Sequence, residues 1–378
     1  MKTIFFFIFL GLFCSKFETV LAETNNVQSD TLTKWMSGKF GLMVHWLPPF
    51  FEKPNGEDIG SPIPKNGDYK WDLNDAVNGF NIDKFIADFE KTGAEWLIFT
   101  IGQNTGTYAS PNSIIDSLSG IGHTPNRDLV LEIAKEIKKR NKKFIAYLPC
   151  EIKANTTLHK GFGWETTAGS NQSIFQERYI LAVREWSLRF GKNLDGWWFD
   201  GCYPTREPFK NVHMKWEKWY QAARAGNEKA IVTFNDGAYL VEHTKPIQPD
   251  HDYLSGEALV LVDSKIRLGT KMGGDLFMPE AAYVKGTTCL NHILLPLDGY
   301  WAHHGKGFPD WANVPFEYEP SSEKMPDPIY SNSELIKFTQ DYCDLGGAIT
   351  YNVNITQEGF LSAKTIKQLK KIKTKINQ

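Results

Sequence analysis

The sequence predicts an α/β fold, a single (β/α)8 barrel of TIM type, on three observations. From Lys39 onward, short apolar runs alternate with amphipathic helical stretches, the pattern of a parallel sheet with helical crossovers. Eight such runs can be read, which favours a closed barrel over an open doubly wound sheet. No glycine-rich phosphate turn follows the first run, which removes a dinucleotide-binding fold. No internal repeat, low-complexity tract or clear domain boundary interrupts residues 23–378, which are read as one barrel domain.

The elements follow in order. Asp30 or Thr31 caps a short helix through Trp35 and Met36, and Lys39 to Trp46 forms the first strand. A long loop rich in Pro and Gly runs from Pro48 to Gly67; a loop of that length in a compact domain is usually functional or disordered. Asn81 caps a helix with Phe85, Ile86 and Phe89 on its apolar side, ending at Gly93, and a second strand starts at Ala94. Asn126 or Asp128 begins a helix carrying Leu129, Ile133, Ala134 and Ile137, before a third strand at Phe144 to Leu148. Ile174 to Phe190 reads as a helix, Asp195 to Phe199 as the fourth strand, Pro208 to Ala225 as a helix and Ala230 to Phe234 as the fifth strand. Tyr253 to Ser255 and Thr287 to Leu295 supply the sixth and seventh. Ser333 to Cys343 is a helix, Ala348 to Val353 the eighth strand, and Ser362 to Ile376 a closing helix whose basic outer face reads as solvated.

Residues 1–22 read as a signal peptide: Lys2 is the positive start, Ile4 to Phe13 the apolar stretch, and Val20-Leu21-Ala22 the cleavage signal. The apolar run is too short to span a bilayer core of roughly 30 Å. A lipoprotein signal through Cys14 is disfavoured by bulky Phe13 before it. The expected mature chain is exported, periplasmic or extracellular, with no membrane span. A net charge of −2 without a basic patch argues against nucleic acid as the partner. The aromatic share of 13% suits sugar stacking and a large core equally. Cys150, Cys202, Cys289 and Cys343 are far apart, which excludes the usual zinc spacings; export permits disulfides without specifying any. Asn155, Asn171 and Asn354 stand in glycosylation sequons.

The stretch Leu194 to Pro204, LDGWWFDGCYP, carries the strongest chemical signal. An apolar strand ends in Asp200, and an acid where a buried strand emerges is costly without a partner. In a barrel, that emerging end is where active sites are built. Trp198 then shapes the floor of the pocket. The polar residues just past the other strands converge on the same face: His45 and Trp46, Gln103 and Asn104, Glu151, Asn235 and Asp236, Glu257, Asn352 and Asn354. Carboxylates, amides, His and Trp without metal-ligand spacing suit recognition of a polyhydroxyl ligand, with no metal and no cofactor. Two carboxylates then cleave the bond, one as nucleophile and one as acid/base.

These motifs resemble the α-L-fucosidases of glycoside hydrolase family 29. Trp35 with KFGLMVHW is similar to that family's opening tryptophan and KFGIFIHWG-type strand, matching at Lys39 to Gly41 and at His45-Trp46. LDGWWFDG resembles its DGLWFDG strand, which places Asp200 on the nucleophile. LGGAITYNV is similar to its last barrel strand, and DYLSGE at Asp252 to Glu257 resembles its DYxTPE segment. The resemblance makes Glu257 the first acid/base candidate and Glu280, in Phe277-Met278-Pro279-Glu280, the second. It also departs. The family's paired histidines after the second strand are replaced by Gln103 and Asn104, Leu47 stands for the glycine after His-Trp, and the sequence ends at the barrel without the β-sandwich many members carry.

The resemblance implies a retaining exo-glycosidase of α-L-fucosidase type acting on terminal fucosyl-like residues of a glycan. Asp200 and Glu257 are expected to be catalytic, and His45, Trp46, Gln103, Asn104 and Trp198 to hold the sugar. Two alternatives stay open: a barrel glycosidase for a different sugar, suggested by the lost histidine pair, and a non-catalytic glycan-binding relative.

Overall fold

The computed structural model describes residues 32–47, 73–103, 105–202, 209–210, 212–237, 245–248, 250–258, 260–267, 276–298, 325 and 327–376. The expected signal peptide, Cys14, the loop from Pro48 to Gly67 and Asn104 lie outside them.

Seven parallel strands form one curled sheet: β1 (Lys39–Val44), β2 (Trp96–Thr100), β3 (Lys143–Pro149), β4 (Gly196–Asp200), β5 (Ile231–Phe234), β9 (His292–Pro296) and β10 (Ala348–Asn352), in the order β5-β4-β3-β2-β1-β10-β9. The circle is completed by residues 252–258. Asp252 donates its backbone N–H to Val232 on β5, and Asp252 Oδ2 accepts from Val232 N at 2.7 Å. On the other side, Leu254 and Ala258 donate to Leu290 and Leu294, and Leu294 donates back to Gly256. The expected sixth strand is therefore present as an irregular stave joined by isolated bridges at Tyr253 and Glu257. A (β/α)8-type barrel results.

Alternation with period two sorts the side chains. Met43, Trp96, Ile98, Ile145, Tyr147, Trp198, Ile231, Tyr253, Leu290, Leu294 and Ala348 fill the barrel interior. Their neighbours Leu42, Val44, Leu97, Phe99, Phe144, Ala146, Trp197, Phe199, Val232, Phe234, Ile293 and Tyr351 face the helices in a separate, larger core. Strands buried on both faces read as unbroken apolar runs for this reason. Several polar atoms inside the barrel are paired: Trp96 Nε1 donates to Thr350 Oγ1 at 2.8 Å, which also bonds His292 Nε2 at 2.7 Å, and Tyr253 Oη donates to the Trp197 carbonyl at 2.9 Å.

Helices form the outer layer, and the longer ones follow their sequence signals. Helix α1 (Leu73–Gly79) precedes α2 (Ile82–Thr92), where Asn81 accepts from Lys84 N at 3.0 Å and Gly93 closes the end at φ 77°. Helices α3 (Ser113–Ser119) and α4 (Leu129–Lys139) connect β2 to β3, and Asp128 caps α4 through Leu131 N. Helices α5 (Thr156–Phe162) and α6 (Ser173–Phe190) connect β3 to β4, and α7 (Trp216–Ala223) precedes β5. Helix α8 (Asn332–Asp344), capped by Ser331, and α9 (Ala363–Ile376) flank β10; Lys364, Lys367, Lys370, Lys371 and Lys375 of α9 are exposed, as a solvated face requires.

Two expected helices are corrected. Residues 32–38 form turns rather than a helix, and the helix expected from Pro208 is described only from Trp216. Beyond the sixth stave the chain builds a small antiparallel sheet, β6 (Leu261–Val262), β7 (Lys265–Arg267) and β8 (Leu276–Phe277). Cys150, Cys202, Cys289 and Cys343 are all unpaired. Among the sequons, Asn155 and Asn354 are buried and only Asn171 is at the surface.

Candidate active site

Asp200 is the last residue of β4 and points into the barrel mouth by the same alternation that buries Trp198 two residues earlier. Four donors converge on its carboxylate. Oδ1 accepts from Asn235 Nδ2 at 2.8 Å and from Gly201 N at 2.8 Å. Oδ2 accepts from the Tyr147 hydroxyl and from Gln103 Nε2 at 3.3 Å, and Gln103 Nε2 also donates to Tyr147 Oη. An acid at a half-buried strand end is thus fully partnered.

Glu257, on the sixth stave, comes to the same place. Asn235 Nδ2 donates to Glu257 Oε2 at 2.6 Å while donating to Asp200 Oδ1. The two carboxylate oxygens therefore lie no farther apart than the sum of those two bonds. That upper limit is compatible with the separation of about 5–5.5 Å between the carboxyls of a retaining glycosidase pair.

The floor and walls are aromatic. The ring of Tyr147 stacks on Trp198, centroids 5.3 Å apart with an interplanar angle of 14°, and His45 meets Tyr147 edge-on at 4.7 Å. Trp198 is 2% exposed and donates its Nε1 to the Ser255 carbonyl at 3.2 Å, so it lies beneath the cup as its floor. His45 Nδ1 bonds Asn352 Oδ1 at 2.9 Å, which ties β1 to β10 at the rim. Burial holds the His45 imidazole below its ordinary value, against the opposing pull of Asn352 and of the Asp200 charge.

Gln103 is held by its loop. Asn155 donates Nδ2 to the Gln103 carbonyl at 3.1 Å and accepts from Gly106 N at 3.1 Å, so one buried amide spans the turn after β2. Glu151, past the end of β3, packs against the turn after Asp200: a methyl placed on Gly201 would stand 2.8 Å from Glu151 Cγ. Burial, and secondarily the Asp200 charge, pushes the Glu151 carboxyl up to about 7, although Lys153 N donates to it.

The structure brings together Asp200, Glu257, Gln103, His45 and Trp198, and separates two other expected residues from them. Trp46 is fully buried on the outer side of the barrel wall: its Nε1 donates to the Gln357 carbonyl at 2.9 Å, and its ring packs against Phe80 and Phe99. Adjacent strand residues face opposite sides, so His45 facing in sends Trp46 out. Glu280 is exposed and stands next to Ala281 and Ala282, whose carbonyls accept from Asn291 just before β9. That is the end of the barrel opposite Asp200, which removes Glu280 as an acid/base candidate. Tyr147 was not anticipated, although its inward parity on an apolar strand was a signal for it; Asn235 was read only as one polar residue of the rim. No group of acidic, His or Cys residues able to hold a metal ion occurs among the described residues.

No protein-family model and no curated protein matches the chain. Solved structures do share its fold. An endo-fucoidan hydrolase of glycoside hydrolase family 107 is 12% identical over 92% of this chain and 93% of its own, with a TM-score of 0.59. The α-L-fucosidase AlfC of Lactobacillus casei, solved with its α-L-fucose product, is 16% identical over 92% of this chain and 98% of its own, at 0.55. A putative α-L-fucosidase of Bacteroides ovatus is 12% identical over 91% of this chain but only 54% of its own, at 0.52.

Proposed function

We propose that this protein is an exported retaining exo-glycosidase of α-L-fucosidase type. The observation that carries the reading is the pair of carboxylates, Asp200 and Glu257, brought to one amide at the mouth of the barrel. Asp200 attacks the anomeric carbon and forms a glycosyl-enzyme, while Glu257 gives its proton to the departing glycosidic oxygen; Glu257 then takes a proton from the water that releases the sugar. Tyr147 and Gln103 hold the attacking carboxylate, Gln103 and His45 meet sugar hydroxyls, and Trp198 closes the floor. The motif resemblance and the fold shared with fucose-acting hydrolases support fucose as the sugar.

Asp200→Ala is expected to fold normally and to lose turnover of 4-nitrophenyl α-L-fucoside by several orders of magnitude, with partial recovery in azide, which replaces the missing nucleophile. Near-wild-type turnover in this variant would remove Asp200 from the mechanism. A panel of nitrophenyl glycosides separates fucose from another sugar, and binding without turnover across that panel would favour the glycan-binding alternative. The fold shared with an endo-fucoidan hydrolase supports a second reading, internal cleavage of a fucose polymer. Sizing of the products distinguishes it: monosaccharide from the first cut supports the exo reading, and oligosaccharides the endo reading.

A further inference from the structure

We infer that Asn235 is the positioning residue that fixes Asp200 and Glu257 relative to each other, one amide proton to each carboxyl. The inference rests on the hydrolase reading for its catalytic consequence, but its geometry stands apart from it.

Asn235 follows β5, and both its backbone groups are committed. Its N–H donates to the Phe199 carbonyl at 2.7 Å and its carbonyl accepts from Cys202 N at 2.8 Å, so it is stitched to β4 on either side of Asp200. Its side chain has only one orientation that satisfies its surroundings. Oδ1 accepts from Gly237 N at 3.1 Å, a contact that requires an acceptor. Nδ2 is then the group facing the two carboxyls, which require a donor. Asn235 is fully buried, and a rigid, buried amide with all three of these contacts made cannot turn without losing several at once.

Tyr147 and Gln103 act on the far oxygen of Asp200, Oδ2, whereas the Asn235 amide reaches Oδ1 and Glu257 together. The amide suits both stages of a two-step reaction. A carboxylic acid that carries its proton on one oxygen still accepts an N–H on the other, so Glu257 can keep its contact as acid and as base. The clamp fixes the distance across which the sugar must fit, and small errors in that distance are costly in rate.

Two measurements test this. In a transverse-relaxation-optimised 1H–15N spectrum of the full chain without ligand, the side-chain amide of Asn235 is identified by its loss in Asn235→Ala. Asp200→Ala should move one of its two proton signals and Glu257→Ala chiefly the other. If neither substitution moves them, the inference is overturned. On the best substrate of the glycoside panel, Asn235→Ala should lower kcat by about 10–100-fold, the scale of hydrogen bonds to charged groups, with KM within about threefold of wild type. Asn235→Asp, which puts a third carboxylate between the first two, should lose more. A loss confined to KM, or unchanged kinetics, would overturn the positioning role. Absence of turnover in the wild type, with the spectral pattern intact, would sink the hydrolase reading and leave the clamp as a structural fact.

Discussion

Glu151 carries the clearest electrostatic consequence at the scale of one residue. Its carboxyl is pushed up to about 7 in the folded chain by burial and by the nearby Asp200. A carboxyl whose folded value lies above its unfolded one binds protons more readily when folded, so stability falls as pH rises from about 4.5 to 7 and the loss is complete above that. Glu151→Gln removes the titration. The gain in unfolding free energy from this substitution should therefore be larger at pH 8 than at pH 4, by about 1–3 kcal/mol once partial exposure is discounted. Urea unfolding of both proteins at the two pH values measures it, and an equal effect at both would mean Glu151 is not strained by charge. Residues of this kind divide sharply in how legible they were. Asp200, Glu257 and Gln103 each end or follow an apolar run, so their place at the mouth could be read from the sequence. Trp46 could not be placed by its motif, because proximity in the chain to His45 means the opposite side of the wall. The importance of Tyr147 and Asn235 lies in partners 53 and 35 residues away, which no local pattern reports.

Among the elements, β1 and β2 show how a strand's composition answers to its neighbour. Gly41 faces the barrel interior beside Trp96, and a methyl on it would stand 2.2 Å from the indole. The glycine is there for space. Gly41→Ala should push the indole off its bond to Thr350 and destabilise the fold by about 1–3 kcal/mol or more, as overpacking does. Unchanged stability in chemical denaturation would show that the interior can absorb a methyl. Long elements were legible because caps and periodicity act over many residues: α2, α4, α6, α8 and α9 begin and end close to their sequence signals. The helices α1, α3 and α5 were not anticipated, since seven residues hold too few repeats to show a period, and the paired strands β6 to β8 are shorter still.

At the scale of the whole molecule, closure of the barrel depends on the approach of the sixth stave to β9. Gly256 makes that approach at φ 65°, and a methyl there would stand 2.0 Å from the His292 carbonyl oxygen. Gly256→Ala combines a backbone conformation that L side chains avoid with a clash against main chain. Stability and turnover are expected to fall together, unlike the Asp200 variant, in which turnover alone is lost; thermal melting beside the fucoside assay separates the two patterns. The seam has a mechanical consequence. Of the two carboxyls at the mouth, one is rooted in a strand bonded along both edges, and the other in a stave held by scattered bridges. Without the Asn235 amide the gap between them would be the softest dimension of the cup, because its own backbone gives Glu257 fewer anchors than β4 gives Asp200.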